Sequence, residues 1–184
     1  MTDATDLSAL TDVADRLVGA ARAAGADEAD AVVVHGTALS VSVREGKVEE
    51  TERAESADLG LRVFVGRRSA VVSANLTEDP AQLAERAVAM ARVAPEDPFT
   101  GLADPARLGR SDADLDLEDD GLPDAAVLTR SAHRLEDSMM KVAGVTRSGG
   151  TSASASSGGI VLVTSGGFSD GYRVTRHGRG ASAI

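Results

Sequence analysis

Along residues 39–75 apolar and polar positions alternate with a period of two, the spacing that sets one face of a strand on a core and the other in water. Leu39, Val41 and Val43 alternate with Ser40, Ser42 and Arg44, and Leu59, Leu61, Val63 and Val65 share a second apolar face. Glu45-Gly46 and Gly66-Arg67-Arg68 interrupt these runs. Gly46 and Gly66 can take the positive φ that a tight hairpin turn needs. The pattern predicts a four-stranded antiparallel meander over 39–44, 47–53, 59–65 and 69–74, with 31–35 joining as a further strand. Residues 48–55 carry Glu49, Glu50, Glu52 and Glu55 and only Val48 and Ala54 as apolar positions, so neither face of that strand can be buried. It belongs at an edge or in a projecting ribbon. Such an edge either completes a scaffold or accepts an extended peptide as an added strand, and alternation alone leaves both open.

A different period flanks the sheet. Leu10, Val13, Ala14, Leu17, Val18 and Ala21 fall at helical spacing up to Gly25. Pro80 at a first helical position, capped by Asp79, opens a second helix whose apolar stripe is Leu83, Ala87, Met90 and Ala91, with Met90 read as core filler. A third helix starts near Pro123 and runs through Leu128, Ala132, Leu135, Met139 and Val142. Strand-like stretches follow at 145–148, 160–164 and 172–176, with Gly149, Gly150, Gly158, Gly159, Gly166 and Gly167 as the expected turns. The predicted fold class is α+β. Residues 1–95 form an antiparallel four- to five-stranded sheet with flanking helices, 96–122 an acidic, Pro-rich linker, and 123–184 the start of a second, helix-plus-antiparallel-strand domain. That second domain is still open at Ile184, as expected of a fragment or of a domain completed by another subunit.

Composition narrows the function classes. With 42% hydrophobic residues and four aromatics, Phe64, Phe99, Phe168 and Tyr172, the core is built from Val, Leu and Ala. The absence of cysteine removes disulfides and thiolate chemistry. An acidic N-terminus and the lack of any apolar run near the ~20 residues of a membrane helix set a cytoplasmic, non-membrane expectation. The net charge of −10 is uneven. From Lys141 onward the bases Lys141, Arg147, Arg173, Arg176 and Arg179 face the single acid Asp170, so the tail is basic and the body strongly acidic. The acidic body repels a phosphate backbone, which argues against direct nucleic-acid binding. The basic tail suits an acidic protein surface or the chain's own acidic body.

Catalytic patterns are weak. Asp112, Asp114 and Asp116 alternate as in a calcium loop, but Leu117 stands where that loop needs glycine, and the register that restores Gly121 puts Val127 in place of the bidentate glutamate. His133 and Glu136 on the third helix lack the second histidine of a zinc-protease helix and are expected as a solvent-facing pair. His35 is expected as a surface or capping residue at a strand end. The glycine pairs precede strands, unlike a phosphate-cradling loop, and Ser152–Ser157 have no histidine and acid partner placed by sequence.

Four stretches carry a family likeness: VREGKVEE from Val43, LGLRVFVGRRSA from Leu59, MARVAPEDPFTGLAD from Met90 and TSGGFSDGYRVTRH from Thr164. Together they resemble the TldD/PmbA family, and the DPF-x-GL segment resembles its PmbA (TldE) branch, long labelled modulators of DNA gyrase. The sequence departs from the family pattern at Gly166, where an asparagine is expected, and in length, since family members continue through a large C-terminal domain. The resemblance implies the N-terminal portion of a subunit that pairs with TldD in a zinc-dependent peptidase acting on unfolded peptides. TldD supplies the HExxxH zinc helix in that family. It further implies no catalytic or metal residue and no cofactor in this chain, zinc in the partner, and as partners a TldD-like subunit, peptide substrates and further copies of the chain. The expected peptide or partner contacts are Phe168, Arg173, Arg176 and His177; Gly46, Gly66, Gly166 and Gly167 are expected structural turns. The rival expectations are a regulatory binding module for topoisomerase and the N-terminal part of an active peptidase.

Overall fold

Glu45 and Gly46 have φ of 50° and 74°, the two successive left-handed residues that a two-residue type I′ hairpin requires. They join the first two long strands in a computed structural model of the chain that describes residues 6–109 and 115–184. The elements are α1 (Leu7–Ala23), β1 (Glu28–Arg44), β2 (Lys47–Val65), β3 (Arg68–Asn75), α2 (Pro80–Val93), α3 (Ala125–Met139), β4 (Ser148–Thr164) and β5 (Ser169–Ala183), with one 3-10 turn at Pro105–Arg107. The five strands form an antiparallel sheet in the order β3-β2-β1-β4-β5, so the fold is α+β with flanking helices, as the alternation predicts. No helix among the described residues is long and apolar enough to cross a membrane.

The strands are fewer and longer than the pattern suggests. The 31–35 and 39–44 runs are one 17-residue strand, and 47–53 and 59–65 are one 19-residue strand. β2 pairs with β3 from Val65↔Arg68 to Asp58↔Asn75, where β3 ends. The remaining stretch of β2, which holds the four glutamates, extends past β3 with Lys47 to Ser56 exposed, the edge its composition predicts. Likewise Gly149, Gly150, Gly158 and Gly159 do not turn the chain but lie within β4. Some strand glycines sit where another strand comes close: a Cβ at Gly171 would sit 2.6 Å from the Ile160 carbonyl oxygen, and one at Gly149 would sit 3.1 Å from the Ser182 carbonyl oxygen. Gly46, Gly66 and Gly167 are turn residues with positive φ.

Two compact units divide the chain: Met1–His35, Ser56–Leu115 and Gly159–Tyr172 in one, Gly36–Glu55, Asp116–Gly158 and Arg173–Ile184 in the other. The contiguous division 1–95, 96–122 and 123–184 does not coincide with them, because β1, β2, β4 and β5 each contribute to both. In the first unit, α1 buries Leu10, Ala14, Leu17, Val18 and Ala21, and α2 buries Leu83, Ala84, Ala87, Val88 and Ala91, against Ala31, Val33, Leu61, Val63, Val161 and Val163. Asp6 and Asp79 cap the helices by accepting from the amides of Ser8 and Ala81. Met90 is nearly half exposed and is not core filler; the adjacent four-residue steps from Leu83 and Ala84 carry the buried stripe. Each fully buried Leu or Val contributes roughly 1.5–3 kcal/mol. Part of the expected linker is fastened to this unit, with the Asp97 amide donating to the Arg67 carbonyl and the Leu102 amide to Glu28.

In the second unit α3 lays Leu128 and Ala132 on Val41, Val43, Ala153 and Ala155. α3 ends at Met139, so Val142, exposed, is not part of its stripe. Glu136, expected in solvent, is buried. Its carboxylate accepts from the Glu45 amide at 2.9 Å, the Gly46 amide at 2.8 Å and the Ser148 hydroxyl at 2.5 Å. The Ser148 bond most of all, then the two turn amides and nearby His133, hold the carboxyl below its usual range against the opposing effect of burial.

Two outcomes follow from the turn and its cap. A Cβ at Gly46 meets nothing within 4 Å, so Gly46→Val acts through backbone strain and lowers stability by roughly 1 kcal/mol or more, whereas Gly46→Asn, which tolerates positive φ, loses less; urea unfolding of both variants checks this. Because folding lowers the pKa of Glu136, its stabilisation is complete above the unfolded carboxylate value of ~4.3 and is lost as pH falls below it. Glu136→Ala costs about 2 kcal/mol at pH 7 by orphaning the buried partners, and Glu136→Gln flattens the acid limb of a stability-against-pH profile.

Candidate functional site

The basic strand β5 is bound by the chain's own acidic segment. Its Thr175 amide donates 2.8 Å to the Leu117 carbonyl, and the Asp119 amide donates 3.2 Å to Thr175 Oγ1. Arg173 places Nε at 2.7 Å and Nη2 at 2.6 Å from Glu118 Oε1, and His177 Nε2 lies 2.7 Å from Asp119 Oδ2. The alternation of a strand explains the arrangement: Arg173, Thr175 and His177 share one side, so the acidic segment meets a guanidinium, a hydroxyl and an imidazole there. Glu118 and Asp119 thus engage two of the expected contact residues, and the basic tail meets acids from elsewhere in the same unit. These are solvent-exposed pairs, each worth about 0–1 kcal/mol.

The other expected contact residues are placed differently. Arg176 is exposed on β5, on the side of the strand opposite Arg173 and His177. Phe168 belongs to the first unit, half-buried at the β4–β5 connection, where its carbonyl accepts from the Thr164 amide at 2.8 Å. Gly166 lies in the same connection, and a Cβ there would lie 3.3 Å from Pro105 Cγ. The four residues therefore do not form one cluster.

Sequence reasoning missed two ionic features besides the Glu118–Asp119 clamp. Glu136 was legible as the next four-residue step after Leu128 and Ala132. Asp30, buried, receives a two-pronged contact from Arg62, whose guanidinium also stands 5.1 Å above the Phe64 ring; no short-range pattern announces that pair.

The three histidines sit on different elements. His35 lies within β1, not at a strand end, with Nδ1 buried and unpartnered among the described residues; His133 is on α3 and His177 faces Asp119. Among the described residues no three His, Asp or Glu side chains converge as a metal site requires, so they do not fit a zinc site. Of the aspartates weighed for calcium, Asp112 and Asp114 lie outside the described residues.

The geometry defines an α+β protein with a long-stranded antiparallel sheet, one basic edge of which carries an acidic segment. Residues 29–91, about a third of the chain, match the family described as PmbA/TldA metallopeptidase domain 1, and it is to the TldD/PmbA family that the chain is similar. It is 31% identical over 163 residues to the metalloprotease PmbA of Escherichia coli O157:H7, an alignment covering 86% of this chain and 36% of that protein. The chain therefore spans about a third of that relative's length. Solved structures share the fold, among them the following two. A Thermotoga maritima protein described as a modulator of a DNA gyrase superposes with a TM-score of 0.73 at 16% identity, covering 92% of this chain and 38% of the other. TldE from Thermococcus kodakarensis gives 0.70 at 14%, covering 88% and 36%.

Replacing Glu118 and Asp119 by Gln and Asn lowers global stability by less than about 1 kcal/mol and accelerates amide exchange at Thr175 while leaving exchange in α1 unchanged. Hydrogen exchange read by NMR separates these effects; unchanged protection at Thr175 would show that the acids do not hold the segment.

Proposed function

We propose that this chain is the N-terminal part of a non-catalytic PmbA/TldE-type subunit of a cytoplasmic TldD–TldE zinc metallopeptidase that processes unfolded peptides. The observation that carries the reading is the 31% identity over 163 residues to a protein named as the metalloprotease PmbA. The DPFTGLAD segment from Asp97 supports the non-catalytic branch. Zinc peptidase chemistry needs nitrogen or carboxylate ligands, an open coordination position and a glutamate to take a proton from water. In this reading a TldD-like partner supplies all of these. The present chain contributes walls and strand edges that hold a peptide extended, a task for which the uncovered stretch of β2 and the basic side of β5 are suited.

A regulatory module acting on a topoisomerase is the second reading. It draws on the gyrase-modulator description of the Thermotoga maritima neighbour and on the charge asymmetry.

The deciding experiment measures bound zinc and cleavage of an unstructured peptide by the polypeptide carrying this chain, alone and mixed with a TldD-type partner. Zinc and cleavage in the mixture only is the expected result. Zinc binding and cleavage by the polypeptide alone would overturn it and assign the protein to the catalytic branch. Capture of gyrase without any TldD-type partner, with no cleavage in the mixture, would establish the regulatory reading.

A further inference from the structure

We propose that the side of β5 from Arg173 to His177 is a binding site for an extended acidic peptide of another polypeptide, and that residues 117–119 occupy it as an internal stand-in. The resident segment spells out the ligand. It offers a main-chain carbonyl to the Thr175 amide, then two successive carboxylates, the first to Arg173 and the second to His177, and returns a main-chain amide to Thr175 Oγ1. One backbone bond supplies general affinity and the side chains beside it select sequence, as in the recognition of a peptide at a strand edge. The selected sequence is an apolar residue followed by two acids.

Charge favours an acidic occupant over a basic or apolar one. Arg173, Arg176, His177 and Arg179 lie within seven positions of β5, and the only acid in the stretch from Lys141 onward is Asp170. The resident segment is also exchangeable. Glu118 and Asp119 are well exposed, and β5 holds the segment by one backbone bond, one amide-to-hydroxyl bond and two side-chain contacts. Its advantage is the tether: a segment joined by a short connection sees its site at an effective concentration of the order of millimolar. A peptide from elsewhere therefore competes poorly until the resident acids are lost or drawn away, which makes the segment a brake on the site. This deepens the peptide-holding role proposed above and rests on it; because the probe needs neither zinc nor cleavage, its failure is distinguishable from failure of the peptidase reading.

The probe is a fluorescein-labelled peptide with the sequence of residues 115–121, Leu-Asp-Leu-Glu-Asp-Asp-Gly, and a control in which each acid is replaced by its amide. The full chain is titrated unchanged, as E118Q/D119N, and as E118Q/D119N with R173Q added. The expected result is acidic-peptide binding at least tenfold tighter in E118Q/D119N than in the unchanged chain, weakened by salt, lost with R173Q, and absent for the amide control. Equal affinity in the first two proteins, or binding indifferent to R173Q, overturns the proposal. A second measurement needs no substitution: amide shifts of the unchanged chain with millimolar peptide are expected to be largest at Arg173–His177, and shifts confined to other strands overturn it as well.

Discussion

A single carboxylate ties together three parts of the second unit that are distant in sequence. Glu136 stands on α3, and its two oxygens accept from both amides of the β1–β2 turn and from the hydroxyl that opens β4. Burying an ionised carboxylate is costly unless hydrogen bonds replace the lost water. Here they do, and with amides of a turn whose two residues already sit in left-handed conformations. The turn presents its N–H groups inward because of its shape, and the shape is held because the carboxylate satisfies them. A glutamine would bring one acceptor and one donor to a place that asks for two acceptors, which is why the charged residue fits.

The apolar alternation of β1 and β2, the three helices, the Asp79 cap of α2 and the exposed glutamate edge were all legible because each depends on a few neighbouring residues. Strand length was not. Gly149 and Gly158 read as punctuation in one dimension, but a Cβ at Gly149 would sit 3.1 Å from the Ser182 carbonyl oxygen of β5, and only the fold reveals it. Glu136 escaped for another reason: a polar residue on an apolar stripe looks like the stripe's end, although its spacing from Ala132 continued it. The basic tail was read correctly as needing acids, but which acids depends on Thr175 lying beside Leu117, a juxtaposition made across more than fifty residues.

Charge and hydrogen bonding divide the labour between the units. The first is held by a large aliphatic cluster under two helices, with buried Asp30 paired to the half-exposed Arg62. The second has a smaller aliphatic cluster and depends more on polar groups: the Glu136 network, the Thr151 hydroxyl donating to the Ala132 carbonyl at 3.0 Å, and the acids laid along β5. Polar contacts exchange with water and with other chains more readily than aliphatic ones do. The unit that relies on them is also the one that carries the β5 site.

The interleaving of the two units constrains how the protein is made. Val161 and Val163 of β4 belong to the same aliphatic cluster as Leu10 and Leu17 of α1, so a chain emerging from the ribosome carries its first two helices and first three strands long before their last neighbours exist. Contacts of such sequence separation are slow to form because a long loop must close before any of them is made. Until then the side of β1 destined for β4 has unpaired backbone groups, the kind of nascent edge that a chaperone, or the wrong strand, can reach first.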